Sequence, residues 1–597
     1  MCLRICPRFA LCALLCGVLA VLVGALLPAF LHAEDAAPQT GSPAHGIEFE
    51  PEYIPAPGTR IRAIHIRTGE VFDVDENFIF TIGNALHWTT KESTVRRDLL
   101  YKEGDEYRQD LIDESERILR GNGCFTVERT RVVPAESAGA DGSGGAAVLP
   151  GLVDIYIVTR DVWSLNFNIK GGYSGGIFTY TFMLGERNLF GRRISLEPRF
   201  ERDNFFTRWG QHFDQPRLFG SHWRFFERLG FYYDNETGKH AGEKVELLLE
   251  RPLFSRSEKW GWQSLFEYDN NPIVKHKGSK IDQIAMNDGT LFDRRYRDTH
   301  FILQNMILRS FGYTNKLNLG VYIQNLHYRY KANDGVGEEY EDEFRARVMK
   351  DDYTRHKIGV MFDANDHRWV RIRDFNRLGV VEDFAQGNSA KITLSTSQKV
   401  WASDENALYL NVILSNNTIL GGGDQILRPS ANYSADFVFG EEPRNQIVTL
   451  RYHHHFRTLP LGTLSLRAET SMGWNLDNES YFTLGADKGL RGYVADHFEG
   501  DRRVLLSAEY RFNSLPFVFN TRLAFAAFAD LGSCWYTDER PPRGARDRRL
   551  YPGAGISIRL GAPFLNPDVM RFDFATNFGN ERQSFGSVFS FNYGQAF

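Results

Sequence analysis

From about Val162 onward the chain is divided by Gly, Asn and Asp turns into short segments in which apolar and polar residues alternate. Across Val504–Phe512, Val504, Leu506, Ala508, Tyr510 and Phe512 share one face, while Ser507, Glu509 and Arg511 share the other. Across Arg522–Gly532, Leu523, Phe525, Ala527, Ala529 and Leu531 lie opposite Arg522, Ala524, Ala526, Phe528 and Asp530. Leu464–Glu469 repeats the pattern. Successive side chains of an extended strand point to opposite faces, so a period of two predicts strands with one apolar and one charged face. After Leu31 no apolar run approaches the length of a membrane-spanning helix. Strands that turn one face to lipid and the other to a wet lumen are the remaining way to cross a bilayer. Residues 162–597 are therefore expected to form an antiparallel transmembrane β-barrel. Sixteen strands, at roughly 27 residues per strand with its connection, suit the available length, and 14 or 18 fit the same arithmetic.

Helical periodicity is confined to the region before this. A strand over Ile61–Arg67 is followed by Thr89-Thr90-Lys91-Glu92, where Thr89 and Glu92 have capping-box spacing, Val95 and Leu99 share a face, and Gly104 ends the helix. A second helix is expected over Arg108–Arg120, with Leu111, Ile118 and Leu119 on its apolar face and Gly121-Asn122-Gly123 as its stop. Strands over Phe125–Val133 and Val153–Thr159 flank a Gly- and Ala-rich loop. Residues 59–161 thus read as one small α/β domain of order β-α-α-β-β.

Everything from Phe9 to Leu31 is apolar, Gly or Pro, with Arg4 and Arg8 before it and Ala33 after it. Residues 1–33 read as a signal peptide, with an uncleaved helical anchor as the alternative because the apolar run is long. Residues 34–58, rich in Pro, Gly and Ala, read as a flexible linker. Four of the 6 cysteines lie in the signal, leaving Cys124 and Cys534, which offer neither a disulfide framework nor metal-ligand spacing. A formal charge of −5 gives no reason to expect a nucleic-acid partner. The mean hydropathy of −0.36 would fit a soluble protein, but alternation averages hydropathy away in a barrel.

The final segment places Phe585, Phe589, Phe591, Tyr593 and Phe597 on one face, opposite Gly586, Ser590, Asn592 and Gly594. With Ser584, Gly586, Phe589, Phe591 and the terminal Phe597, it resembles the C-terminal targeting signal of outer-membrane barrels. Leu490-Arg491-Gly492-Tyr493, with Glu509 and Asp530 on later strands, resembles the outer-membrane protein assembly superfamily that includes BamA, TamA and the two-partner secretion exporters. The resemblance implies that Leu490, Arg491, Gly492 and Tyr493 sit on a loop folded into the lumen, with Glu509 and Asp530 as the acidic partners of Arg491. An arginine withdrawn from water needs such partners. Three charges simply facing water in a wide pore are the alternative. Gly185–Gly191 resembles the family's early-strand turn and Thr159–Leu165 its domain junction. Residues 59–161 resemble a POTRA (polypeptide-transport-associated) domain in element order and in Lys102-Glu103-Gly104-Asp105. There is room for one such domain, where the bacterial housekeeping assembler has several.

Other motifs carry less. In His453-His454-His455 neighbouring side chains point to opposite faces, so only His453 and His455 could converge, and no metal site is expected. Gly171-Gly172 through Gly175-Gly176 lacks the ending of a phosphate loop and reads as a bent first barrel strand. No nucleophile elbow or metalloprotease helix is present, so no enzyme activity, catalytic residue or cofactor is expected. The expectation is a barrel in the cell outer membrane with its POTRA domain in the periplasm, which inserts other outer-membrane proteins or translocates polypeptides. A client strand would add to the POTRA sheet edge, and a seam between the first and last barrel strands would open. The partners expected are unfolded outer-membrane or secreted polypeptides, outer-membrane lipid and periplasmic accessory proteins. The alternatives are a dedicated two-partner-type exporter and a passive porin or structural surface barrel.

Overall fold

A computed structural model describes residues 53, 55–71, 87–121, 123–136, 148–162, 164–174, 176–313, 315–366, 368–379, 381–477, 480–517, 521–537, 548–562, 566–578, 587–593 and 595–597. The signal, nearly all of the linker, Phe585, Gly586 and Gly594 lie outside them.

The N-terminal module is built from β1 (Arg60–Gly69), α1 (Glu92–Arg96), α2 (Gln109–Arg120), β2 (Phe125–Glu136) and β3 (Val148–Asp161). The sheet order is β1-β3-β2, with β3 parallel to β1 and antiparallel to β2. Ile61, Ile64, Val153, Ile155 and Ile157 from the sheet bury against Val95, Ile112 and Leu119 from the helices. The lower end of β1 is covered, since the Ile61 amide donates to Asp105 O (2.9 Å), and the Gly104 amide to Ile61 O (2.8 Å). The outer edge of β2 carries no further strand of the described sheet.

Both helices differ from the expectation. α1 starts after Lys91, without a side-chain cap, and ends at Arg96. The Thr90 amide is taken by Asp161 Oδ2 (2.6 Å), and the Lys91 amide by Gly191 O (3.0 Å). This approach to the helix is fixed by tertiary contacts, so the capping box does not form. α2 buries Ile112, Glu114, Ser115 and the expected Leu119, with Leu111 partly buried against the same core, whereas Ile118 is not among its buried residues.

After β3 the chain enters a closed barrel. Its strands are β4 (Leu165–Ser174), β5 (Ile177–Leu189), β6 (Ile194–Arg202), β7 (Phe206–Gln215), β8 (Arg224–Asp234), β9 (His240–Arg251), β10 (Trp260–Val274), β11 (Arg295–Phe311), β12 (Asn315–Ala332) and β13 (Tyr353–Asp366, continued by Arg368–Arg373). The ring goes on through β14 (Val381–Ser397), β15 (Ala407–Leu420), β16 (Gln425–Val438), β17 (Arg444–Leu459), β18 (Gly462–Trp474), β19 (Arg502–Phe512, continued by Leu515–Pro516), β20 (Arg522–Trp535), β21 (Tyr551–Ala562), β22 (Asn566–Asn577) and β23 (Ser587–Tyr593). Among the described residues this ring has twenty strands, not the sixteen expected. The module-side turns consume few residues, several connections at the far rim are equally short, and strand length alone does not set the number.

The alternation runs through the ring as lipid face and lumen face. Ile307, Val321, Ile323, Val360 and Ile556 are exposed outside, whereas Glu469, Glu509, Asp530, Arg559 and Asp573 are buried inside. Connections at the far rim include α3 (Glu338–Val348), whose Phe344 and Val348 pack on Tyr296 and Tyr330. The loop after β10 also reaches the loop after β18: the Gly278 amide donates to Ala495 O (3.0 Å), and Arg294 donates to the Tyr481 hydroxyl (3.1 Å).

The module docks on consecutive turns of the near rim. Gly191, at φ +67°, is the contact point for α1, and a Cβ there would lie 2.3 Å from Thr89 O. Asn188, fully buried, donates to Trp88 O and Thr90 Oγ1 (both 2.9 Å). Asp98 accepts hydrogen bonds from Arg193 of the β5–β6 turn and from Arg217 Nη2 (2.6 Å) of the β7–β8 turn. Glu114 accepts the Arg256 amide (2.6 Å), and Asp110 accepts the Tyr313 hydroxyl (3.0 Å). The end of β5 and the turn after it are thus a socket of the module, and Cys124 joins them by donating to Arg187 O (3.4 Å).

Candidate functional site: the lumen loop and the barrel seam

Between β18 and β19 the described residues 480–501 fold into the lumen, stiffened by a short antiparallel pair, Phe482–Leu484 with Phe498–Gly500. Gly489, at φ +100°, turns the chain into Leu490-Arg491-Gly492-Tyr493. Leu490 and Tyr493 bury in an apolar cluster with Leu484, Leu505 and Cys534. The Tyr493 hydroxyl donates to Pro552 O (3.0 Å). Gly492, at φ +98°, lies so close to β22 that a Cβ would sit 2.8 Å from Thr576 O. Asn577 Nδ2 donates to Gly492 O (2.9 Å). On β21, a Cβ at Gly553 would lie 2.2 Å from Arg491 O, so the bare strand is what lets the loop lie flat.

The Arg491 guanidinium is 4% exposed. Its Nε and Nη2 donate to the two oxygens of Asp530 (2.7 and 2.9 Å), and its Nη1 donates to Glu509 Oε2 (2.8 Å). Its backbone amide also reaches Asp530 Oδ2 (3.3 Å). The flat face of the guanidinium lies 3.4 Å from the centroid of the Phe528 ring. A fork-shaped cation bonded to two carboxylates and stacked on an aromatic ring is the arrangement that offsets the loss of water. Glu509 has further partners: Arg511 Nε (2.8 Å) and Arg559 Nη2 (2.6 Å). Arg571 pairs with Asp573 (2.9 Å) beside them. Arg559, Arg571 and Asp573 lie outside the Leu490–Tyr493 motif and its two acidic partners. Their signal was the same period of two, carried into β21 and β22.

The seam is built differently. Among the described residues, β22 and β23 share seven residue pairs and β4 and β5 share ten, but β23 and β4 share only Phe591 with Tyr173. Phe589 projects outside, its ring 6.5 Å from that of Tyr173, and Phe591 stacks on Phe572 at 4.6 Å. Phe597 is not on their face. Its ring lies 5.8 Å from His453 with the Arg511 guanidinium 5.4 Å away, and its carbonyl accepts Arg511 Nη2 (2.6 Å). Because β23 ends at Tyr593, the alternation no longer governs Phe597, and the lumen arginines take its ring.

The histidine run is split by the strand. His453 and His455 face the lumen but not a common ligand: His455 Nδ1 meets Ser465 Oγ (2.9 Å), and His453 lies 3.6 Å from Glu469. His454 lies against Phe456, their ring centroids 3.9 Å apart. Another cluster, Glu267, Asp269 and His300, has Lys244 between its two carboxylates, at 2.5 and 3.0 Å.

Residues 386–597 match the family model of the Omp85 superfamily domain. The chain carries an Omp85 superfamily domain. The match begins within β14 and runs through β23, so it holds the lumen loop, Glu509, Asp530 and the last strand. An Omp85 domain in a closed β-barrel points to the outer membrane. No curated protein matches the sequence. Among solved structures, BamA from Haemophilus ducreyi lacking POTRA domains 1–3 is 15% identical, with 89% of this chain and 84% of that chain covered and a TM-score of 0.40. CdiB from Acinetobacter baumannii is 12% identical, covers 90% of this chain and 74% of its own, and has a TM-score of 0.41. CdiB from Escherichia coli is 10% identical, with 90% and 76% covered and a TM-score of 0.38.

Proposed function

We propose that this Omp85 barrel handles unfolded polypeptides at the outer membrane, inserting other barrel proteins or moving a polypeptide across, with the β4–β23 seam as its moving part. The observation that carries the reading is that, among the described residues, one residue pair joins those strands. Opening this line breaks few backbone hydrogen bonds and exposes two strand edges, each a template for a client strand. The N-terminal module, read as a periplasmic POTRA domain, supplies an earlier docking edge. β2 is the open side of its sheet, whereas the lower end of β1 is taken by residues 104–107. Strand pairing and burial of the client's apolar face drive the process, and no covalent step is needed.

Arg491, Glu509 and Asp530 act in this reading as the anchor that keeps the lumen loop in place beside the seam. A passive pore needs neither a filled lumen nor a docked module. Depletion of the protein followed by outer-membrane proteomics tests the proposal. Loss of many barrel proteins identifies an inserter, and loss of one secreted protein identifies an exporter. An unchanged proteome overturns both. Planar-bilayer recording adds an independent check, because a large steady conductance indifferent to Arg491→Ala would favour the passive pore.

A further inference from the structure

A cavity of about 410 Å³ lies beneath the lumen loop, a volume within the usual range of ligand sites. Six cationic side chains line it: Arg451, Arg467, Lys488, Arg491, Arg503 and Arg571. Three of them have carboxylates of their own. Arg491 is paired as described, Arg571 with Asp573 (2.9 Å), and Lys488 with Asp487 (3.0 Å). Arg467, Arg451 and Arg503 instead converge on the single carboxylate of Glu469, at 2.9, 3.6 and 4.0 Å. Nε of Arg467 and of Arg503 is buried without a hydrogen-bond partner. Three guanidiniums around one carboxylate leave an excess of positive charge in a partly enclosed lumen. Charge withdrawn from water has to be balanced by a counter-ion or by a bound group.

We infer that this cavity is an oxyanion site, shaped for carboxylate or phosphate groups and held by Arg451, Arg467 and Arg503. Arginine forks match planar and tetrahedral oxyanions with paired hydrogen bonds, and the orphaned Nε atoms supply donors for them. The group can arrive as a free anion or as the acidic side chains of a polypeptide passing through the lumen. The second source rests on the polypeptide-handling reading; the site itself does not.

The test is calorimetric titration of the folded full-length protein in detergent with inorganic phosphate, then with a synthetic oligoglutamate peptide and its oligoglutamine counterpart. Phosphate is expected to bind, and Arg503→Gln and Arg451→Gln are each expected to weaken it about tenfold. The exposed Arg368→Gln serves as the control for general charge and leaves binding unchanged. Arg451 is half-exposed, so its replacement reports on the site even if Arg503→Gln fails to fold. Competition by oligoglutamate but not oligoglutamine assigns the site to acidic segments. Phosphate binding without that competition assigns it to free anions and refutes the polypeptide source. Absence of phosphate binding, or equal binding by all variants, overturns the site. None of these results depends on the proteome experiment, so either proposal can fail alone.

Discussion

The lumen loop and the seam belong to one ring, close to each other, and are held in opposite ways. The loop touches Glu509 on β19, Asp530 on β20, Pro552 on β21 and Asn577 on β22, so four neighbouring strands are tied through one segment. On the other side of the seam, the module grips the turns after β5, β7, β9 and β11 through Arg193, Arg217, Arg256 and Tyr313. Between these two reinforced bodies β23 meets β4, among the described residues, at a single residue pair. Local stiffness here follows the placement of buried charge and backbone contact, and a ring that is stiff on both sides of one thin line concentrates deformation at that line.

The comparison is broken most directly by reinforcing the thin side. Opposed residues on antiparallel strands have Cα atoms about 4.5–5.5 Å apart, within disulfide range. Tyr173→Cys with Phe591→Cys is therefore expected to cross-link on oxidation, abolish insertion or export, and release the block on reduction. Native Cys124 and Cys534 are buried, and burial pushes the Cys124 thiol up to about 11, so neither competes. Retained activity in the fully oxidised protein, measured by client assembly in proteoliposomes, would show that the seam does not move.

The stiff side is broken by Arg491→Ala. It leaves Asp530 without its fork and Glu509 with two of its three guanidiniums, for a cost of about 3–5 kcal/mol. Urea unfolding from lipid vesicles, followed by the heat-dependent gel shift of folded barrels, reads the loss. Arg491→Lys restores only part of it, since an ammonium cannot span both carboxylates. A change under about 1 kcal/mol would mean that the lumen charges are water-solvated and that the loop is not anchored through them.

The module's grip comes next. Asp98→Asn leaves Arg193 and Arg217 without their shared carboxylate, weakening docking by about 2 kcal/mol, or roughly thirtyfold in the opening equilibrium. Hydrogen exchange at α1 and at the 188–193 turn is the measurement. Unchanged exchange would show that Gly191 and Asn188 hold the module by themselves.

The parts of this structure open to sequence reasoning are those written in a local period. Alternation in Val504–Phe512 and Arg522–Gly532 assigns Glu509 and Asp530 to the inner face, and that is where they lie. The same rule, pursued into β21, would have added Arg559 to the partners of Glu509. Long-range contacts leave no such trace. Nothing local distinguishes Thr90, whose amide is taken by Asp161, from the start of an ordinary capped helix, so the capping box at Thr89 misleads. Nor does Asp98, a polar residue after a short helix, signal that two barrel turns close on it. The strand number escaped because a period of two sets how a strand faces, not how many residues separate one strand from the next. Phe597 escaped because alternation ends where the strand does.

The smallest effect concerns Asp110 on α2, which tests whether the module's grip is electrostatic at its periphery. Partial burial alone would raise its carboxyl, but hydrogen bonds from Arg108 and Tyr313 and the Arg108 charge outweigh burial and hold it below the usual aspartate value. Tyr313, pushed up to about 12 by burial and by Asp110, remains a donor throughout the relevant range. A carboxyl whose folded value is depressed contributes stability in full above its unfolded value of 3.8, and loses it as pH falls through the lower folded value. Docking of α2 against the β11–β12 turn should therefore hold from neutral pH to about pH 5 and loosen below pH 4. Exchange protection of α2, followed from pH 6 to pH 3, should fall less steeply in Asp110→Asn than in the native chain. Superimposable curves would place the α2 contact with Glu114 and Arg256 alone.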